Sequence, residues 1–225
     1  MKRKNTKNKF KVKNIKRIMI ISFAILISCS FLAGYLYYKK NGEIKYLDNM
    51  GLGKYDISGL KDEVQEMEES LDVKRIDFNF GNTLEETNNP KKIIFHHTAS
   101  AQISPELLNE IHKSKGWEGI GYHYYIRKDG TIFSGRPEKA VGAHAYGNNK
   151  DTIGICLEGD FEIEKPNEKQ LSSLVNLSTY IIIKYNIETI VGHKDLCNTL
   201  CPGKNFPMED VNNNIADNIK NKLKE

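Results

Sequence analysis

From Lys91 onward the apolar positions follow two rhythms. Short runs rich in Ile, Val and Phe alternate with longer stretches in which apolar residues return every three or four positions, the signatures of strand and helix. Residues 92–95 read as a short apolar strand and 152–157 as a buried one. Ser104 followed by Pro105 is an N-cap with proline at the first helical position, and the helix it opens should stop at Gly116. Residues 121–126, the Asp129-Gly130 turn and residues 131–134 read as a β-hairpin. A long helix is expected over 168–185, with Leu171, Leu174, Val175, Leu177, Ser178 and Ile181 on one side. Residues 187–191 form the strand that delivers His193, and 208–223 a last helix. Strands interleaved with three helices, including one hairpin and no internal repeat, predict an α/β fold with a mixed central β-sheet flanked by helices.

The pattern before Lys91 is different. Residues 1–17 hold nine Lys or Arg and no acid, and 18–38 then run without a formal charge until Lys39 and Lys40. That run is close to the roughly 20 residues a helix needs to cross a bilayer. The basic flank predicts a cytoplasmic tail (1–17), a single transmembrane signal anchor (18–38) and export of everything after it, so that the protein is a single-pass cell-membrane protein with its folded domain outside the cytoplasm. The run is too long for a cleaved secretory signal. Leu26-Ile27-Ser28-Cys29 resembles a lipobox with Cys29 as the acylated residue, but the chain stays apolar as far as Leu36, and Tyr35, Tyr37 and Tyr38 suit an interfacial aromatic belt. Residues 39–88 read as a spacer or stalk. Within it, 60–71 is amphipathic, with Val64, Met67 and Leu71 at helical spacing, and fits either a packed N-terminal helix or a stalk. The catalytic domain is expected over 89–225.

Charge changes the picture once the tail is set aside. The formal +4 of the whole chain becomes −5, with 24 basic against 29 acidic residues, when the nine basic residues of the tail are removed. The tail then speaks for orientation and anionic lipid, and no basic, aromatic-interleaved stretch indicates nucleic acid. Four Cys are too few for a disulfide scaffold. Cys29 lies in the apolar run and Cys156 within a strand, which leaves Cys197 and Cys201 for a disulfide or for metal ligation.

Metal ligation of Cys201 is favoured because His96 ends one apolar strand and His193 follows another. Two imidazoles and a thiolate form a ligand set for one Zn²⁺ per chain. Three protein ligands leave a fourth position open for water, the mark of a catalytic site. The set points to a zinc hydrolase. His97 should face away from His96 by strand alternation, and His123 from Tyr122. His112, within a helix, is expected in solvent.

The segments 93–99 (Ile-Ile-Phe-His-His-Thr-Ala), 121–124 (Gly-Tyr-His-Tyr), 129–131 (Asp-Gly-Thr), 135–136 (Gly-Arg), 141–144 (Val-Gly-Ala-His), 153–155 (Ile-Gly-Ile) and 193–203 occur in an order and spacing that resemble a known family. Over residues 90–207 the chain resembles the zinc-dependent N-acetylmuramoyl-L-alanine amidases, which include phage lysozyme-type amidases and peptidoglycan recognition proteins. The resemblance implies that His96, His193 and Cys201 bind zinc, that Tyr122 is the catalytic tyrosine and that His144 contacts substrate. It implies peptidoglycan as the partner and hydrolysis of the amide between N-acetylmuramic acid and the L-alanine of the stem peptide. Thr199 stands where some relatives carry Lys. Its hydroxyl would bond the tetrahedral intermediate without Lys's charge, so the proton donor to the leaving amine is unassigned. Two rival readings are a muropeptide-binding module, which would lack Cys201, and a hydrolase with Cys201 as nucleophile, which the Pro202-Gly203 turn and the paired histidines disfavour.

Overall fold

A computed structural model describes residues 57–80, 84–187 and 189–224. The expected tail and anchor, Cys29 included, lie outside the described residues. Among the described residues no helix is long and apolar enough to cross a membrane.

The strands are β1 (Lys74–Arg75), β2 (Lys92–His97), β3 (Tyr124–Ile126), β4 (Ile132–Ser134), β5 (Thr152–Leu157) and β6 (Thr189–Gly192). They form one sheet in the order β1-β4-β3-β5-β2-β6, parallel throughout except for the antiparallel β3–β4 hairpin. The expected mixed sheet is present. Its central strands are buried on both faces, which explains why 93–95 and 153–157 are nearly continuous apolar runs.

Alternation along β2 sorts the two faces. Ile93 and Phe95 point into the main core, which α3 (Glu168–Tyr185) and α4 (Met208–Lys222) cover through residues such as Leu174, Ile181, Val211 and Ile215. Ile94 points the other way, toward Ala145 and Val191, and two positions on His96 continues that side. On this second face α2 (Pro105–Ser114) brings Leu108 against Tyr125 and Cys156.

The helix ends follow their local chemistry. The Ser104 side chain accepts the Leu107 N–H to open α2, with Pro105 at the first helical position. Asn167 and Gln170 exchange hydrogen bonds in a full capping box at the start of α3, and Asn186 closes it in the left-handed conformation (φ 53°). Between β3 and β4, Gly130 at φ 88° makes the turn that Arg127 and Thr131 close by a backbone bond.

The body reaches further toward the N-terminus than the boundary expected at residue 89. A 3₁₀ turn (Ile57–Glu63) and α1 (Val64–Ser70) bury Leu60 and Met67 in the main core, β1 adds the edge strand, and Phe78 joins the second apolar cluster. Of the two readings open for the amphipathic segment at 60–71, the packed helix is the one observed. Burial of its apolar stripe is the reason.

Candidate active site and metal centre

β2 and β6 run parallel and adjacent, Phe95 opposite Gly192. Their C-terminal ends therefore open on the same edge of the sheet, the edge where open α/β sheets place ligands. His96 lies near the end of β2 and His193 directly follows β6, so their rings meet with centroids 4.6 Å apart. Cys201 comes back to them through a folded loop. Lys194 N–H donates to the Cys201 carbonyl at 2.7 Å, the Asp195 carboxylate accepts the Gly192 N–H at 2.8 Å, and Thr199 Oγ1 accepts the Cys201 N–H at 3.2 Å.

The donor atoms of His96, His193 and Cys201 consequently lie within 4.8 Å of one another, and among the described residues they are the sole such group. Cys201 Sγ is 3.6 Å from His96 Nδ1. Metal bonds of about 2.0 Å to nitrogen and 2.3 Å to sulfur, at a tetrahedral angle, set nitrogen and sulfur about 3.5 Å apart. The observed separation would fit two ligands of one ion. The His97 N–H also points at the sulfur, 3.3 Å away, a donor suited to a thiolate. Two imidazoles and a sulfur are a donor set for zinc and not for magnesium or calcium, which take oxygen.

Protonation of the two histidines agrees with ligation. Burial, then the neighbouring His193, His97 and His123, hold His96 neutral well below the usual histidine range, and burial lowers His193 as well. Burial pushes the Cys201 thiol up to about 12 despite the bond from His97 N–H. A thiol held that high is a poor free nucleophile near neutrality, which weighs against a cysteine hydrolase. A coordinated metal deprotonates such a thiol outright.

Tyr122 lies next to this group, its ring centroid 5.1 Å from that of His96. Burial, then the nearby thiols of Cys156 and Cys201, raise its phenol well above the usual range, so it stays protonated and can donate but not abstract. A cavity of about 520 Å³ opens over Tyr122, His193, Thr199 and Cys201, with Asp160 and Glu162 on its rim. Those two acids escaped the sequence reading, because their turn between β5 and α3 carries no periodic signal. A larger cavity, about 680 Å³, lies against α1 and the 134–138 segment. The polar groups there satisfy one another, and the ligand atoms converge only in the smaller one.

The remaining histidines divide by location. His97 faces the opposite side, as alternation requires, where its Nδ1 accepts the Phe161 N–H at 3.0 Å. His123 is buried between two backbone partners, the Ala140 carbonyl and the Gly154 N–H, both at 3.0 Å. His112 is not in solvent as expected. It follows Leu108 by one helical turn on the inner face of α2, is 4 % exposed, and accepts the Gly121 N–H at 3.0 Å just before Tyr122. The i, i+4 spacing from Leu108 was the available signal.

His144 lies on the far side of His96. Expected at the substrate, it is buried behind His96, with its Nδ1 3.0 Å from His96 Nε2 and its Nε2 3.4 Å from Thr152 Oγ1. Both ring nitrogens are occupied inside the protein. Cys156, expected as core, is fully buried, and Cys156, Cys197 and Cys201 are all free thiols.

The model of the N-acetylmuramoyl-L-alanine amidase family matches residues 86–204, more than half of the chain. The chain belongs to this family. The endolysin of Escherichia phage T7 is 33% identical over 118 residues, which cover 48% of this chain and 78% of the endolysin. Among solved structures, the N-acetylmuramoyl-L-alanine amidase LysC from Clostridium intestinale is 45% identical, with a TM-score of 0.60 over 68% of this chain and 97% of that one. Drosophila PGRP-LB shares the fold at 26% identity, with a TM-score of 0.53 over 66% of this chain and 93% of its own. The protein is a peptidoglycan amidase, a hydrolase, and the stretch matched by the family model contains His96, His193 and Cys201 as well as Tyr122, His144 and Thr199.

Proposed function

We propose that this amidase is zinc-dependent and cleaves the bond between the lactyl group of N-acetylmuramic acid and the L-alanine of the stem peptide, with His96, His193 and Cys201 holding one Zn²⁺ per chain. The observation that carries the reading is the convergence of those three donors, with sulfur and nitrogen 3.6 Å apart. Zinc bound there supplies Lewis-acid chemistry, lowering the pKa of a water toward neutrality and polarising the scissile carbonyl.

The protein's own groups do the rest. Tyr122, kept protonated by burial, donates a hydrogen bond to the oxygen that gains charge as the carbonyl becomes tetrahedral. Thr199 accepts the Cys201 N–H on its oxygen, which leaves its own proton free to donate toward the cleft. The same hydroxyl therefore sets the turn that carries the ligand and offers a second donor to the intermediate. No nucleic-acid partner is proposed, given the −5 balance of the chain beyond its tail.

The reading extends to the cell. Residues 18–38 serve as a single membrane anchor, 1–17 stay in the cytoplasm, and the catalytic domain faces the peptidoglycan outside. What supports this is the nine-residue basic excess before an uncharged run of membrane-spanning length. Protease added to intact, wall-stripped cells should remove the domain and leave a small membrane fragment, and a protected domain would reverse the orientation.

The chemistry is tested by digesting sacculi with the purified full-length chain in detergent and analysing the products by mass spectrometry. Expected are glycan strands freed of peptide and stem peptides with a new L-alanine amino terminus. Chelation should stop the release and zinc should restore it. Products cut at a glycosidic or interpeptide bond would sink the bond assignment, and chelator-resistant cleavage would sink the zinc.

A further inference from the structure

Zinc in this site would take Nδ1 of His96, the nitrogen nearest Cys201 Sγ. That nitrogen must then carry a lone pair, and the ring proton must sit on Nε2. An exposed imidazole would share its proton between the two nitrogens. In this chain Nε2 points inward at His144 Nδ1, 3.0 Å away, and the two rings are nearly perpendicular at 82°.

We propose that His144 is a positioning residue for the metal centre. It accepts the Nε2–H of His96, and so fixes both the tautomer and the ring orientation that aim Nδ1 at zinc. The proposal rests on the zinc reading given above.

The proton inventory closes in this direction. With Nδ1 accepting from His96, His144 carries its own proton on Nε2, 3.4 Å from Thr152 Oγ1. The Thr152 hydroxyl has one proton, directed at the Asn149 carbonyl (2.9 Å) and the Asn148 carbonyl (3.1 Å), and is left to accept from His144. The chain of donors thus runs one way, from His96 to the backbone of the 148–149 turn. That turn is itself tied to His144, because Asn149 Oδ1 accepts the N–H of His144 and of Ala145, each at 2.8 Å. Metal-bound histidines characteristically hand their second N–H to such an acceptor.

The fold also makes room for this ring at two separate points. A Cβ on Gly154, in the middle of β5, would come within 2.6 Å of the His144 ring, and one on Gly142 within 2.4 Å. Glycine in a central strand interior weakens it and characteristically marks close approach by another group. Here the approaching group is the imidazole behind His96.

The test is zinc affinity, measured by competition with a chromophoric chelator on the full-length chain in detergent, for wild type, His144→Phe and His144→Asn. Phe fills the same space without an acceptor. Asn places its carbonyl oxygen on Cγ, where the imidazole has Nδ1. The Phe variant should bind zinc about 10- to 100-fold more weakly, with a lower metal-free melting temperature but a cooperative melt retained, and Asn should recover most of the loss. Gly154→Ala, which displaces the ring while leaving it present, should also weaken zinc. Equal affinity in wild type and His144→Phe would overturn the proposal, as would an Asn variant no better than Phe. Wild type that takes up no zinc would overturn this proposal and the zinc reading together, whereas tight zinc in wild type with an indifferent Phe variant overturns only this one. Should the Phe variant fail to fold, nitrogen NMR of labelled histidine in the metal-free wild type decides the matter. A proton on His96 Nε2 is expected, and a proton on Nδ1 would overturn the assignment.

Discussion

Two polar clusters sit on opposite faces of the same sheet, and they are built on opposite principles. On the face covered by α3, the Glu138 carboxylate accepts the hydroxyls of Tyr124 and Tyr185 and the Lys184 ammonium, each at 2.6 Å. Lys184 also donates to the Tyr180 hydroxyl at 2.6 Å, which donates in turn to Glu68 on α1 at 2.7 Å. Every proton there has an acceptor, so the cluster is complete within the protein and ties α1 to the body. On the other face the donor atoms of His96, His193 and Cys201 lie within 4.8 Å of one another beside an open cavity. Buried polar groups are ordinarily paired, because an unpaired one costs about 1–3 kcal/mol. The closed cluster explains itself as structure. The open one matches the donor set proposed for zinc, and it lies at the smaller cavity and not the larger.

The sharpest way to break this contrast is to remove a donor from the open cluster. Cys201→Ala should lose zinc and with it the several kcal/mol that a metal supplies to the transition state, a fall of roughly 10³-fold or more in kcat/KM. Metal analysis of the purified variant checks it, and full zinc occupancy would remove Cys201 from the ligand set. Next comes Tyr122→Phe, which should fold and keep zinc yet lose about 10²-fold in kcat, the scale for one donor to a developing oxyanion. Unchanged turnover would leave Tyr122 as cleft wall alone.

How much of this contrast was legible in the sequence depends on range. The strand runs, the Ser104 helix start and the Asp129-Gly130 hairpin follow from local pattern, and local pattern was enough for the mixed sheet and its flanking helices. The convergence of His96, His193 and Cys201 was legible because the two histidines end or follow recognisable strands and Cys201 stands one short loop later, in the order of the family motifs. What could not be read was direction. His144 sits in a loop whose sequence shows proximity to the site, but whether its ring faces substrate or the back of His96 depends on Gly142 and Gly154, two glycines distant in the chain from His96. His112 was hidden by a similar ambiguity on an amphipathic helix. The Glu138 cluster left no trace at all, because its members come from α1, β3, the 134–138 segment and α3, and none of those segments looks unusual alone. The N-terminal packing was half legible, since the spacing of Val64, Met67 and Leu71 gave a helix but no information on what it would lie against.

The closed cluster yields the smallest effect and the cleanest control. Burial alone would raise the Glu138 carboxyl, but the bonds from Lys184, Tyr124 and Tyr185 outweigh it, so its pKa in the fold lies below the ordinary carboxylate value. A lowered value means that the folded state favours the charged form. The stabilisation is complete above the unfolded pKa of about 4.3 and is lost as pH falls through the folded value. Glu138→Gln keeps an oxygen for one tyrosine but gives up the charge, and it should cost about 1–3 kcal/mol near neutrality. Denaturant melts of both proteins from pH 8 to pH 3 should show a constant difference down to about pH 5 and a shrinking one below. A difference that persists at pH 3 would mean that shape, not charge, makes the cluster. At neutral pH the folded variant should bind zinc and hydrolyse peptidoglycan as wild type does, because no member of the cluster touches the three ligands. Loss of zinc in Glu138→Gln would show that the two faces of the sheet are coupled, and the division between a structural cluster and a catalytic one would then have to be abandoned.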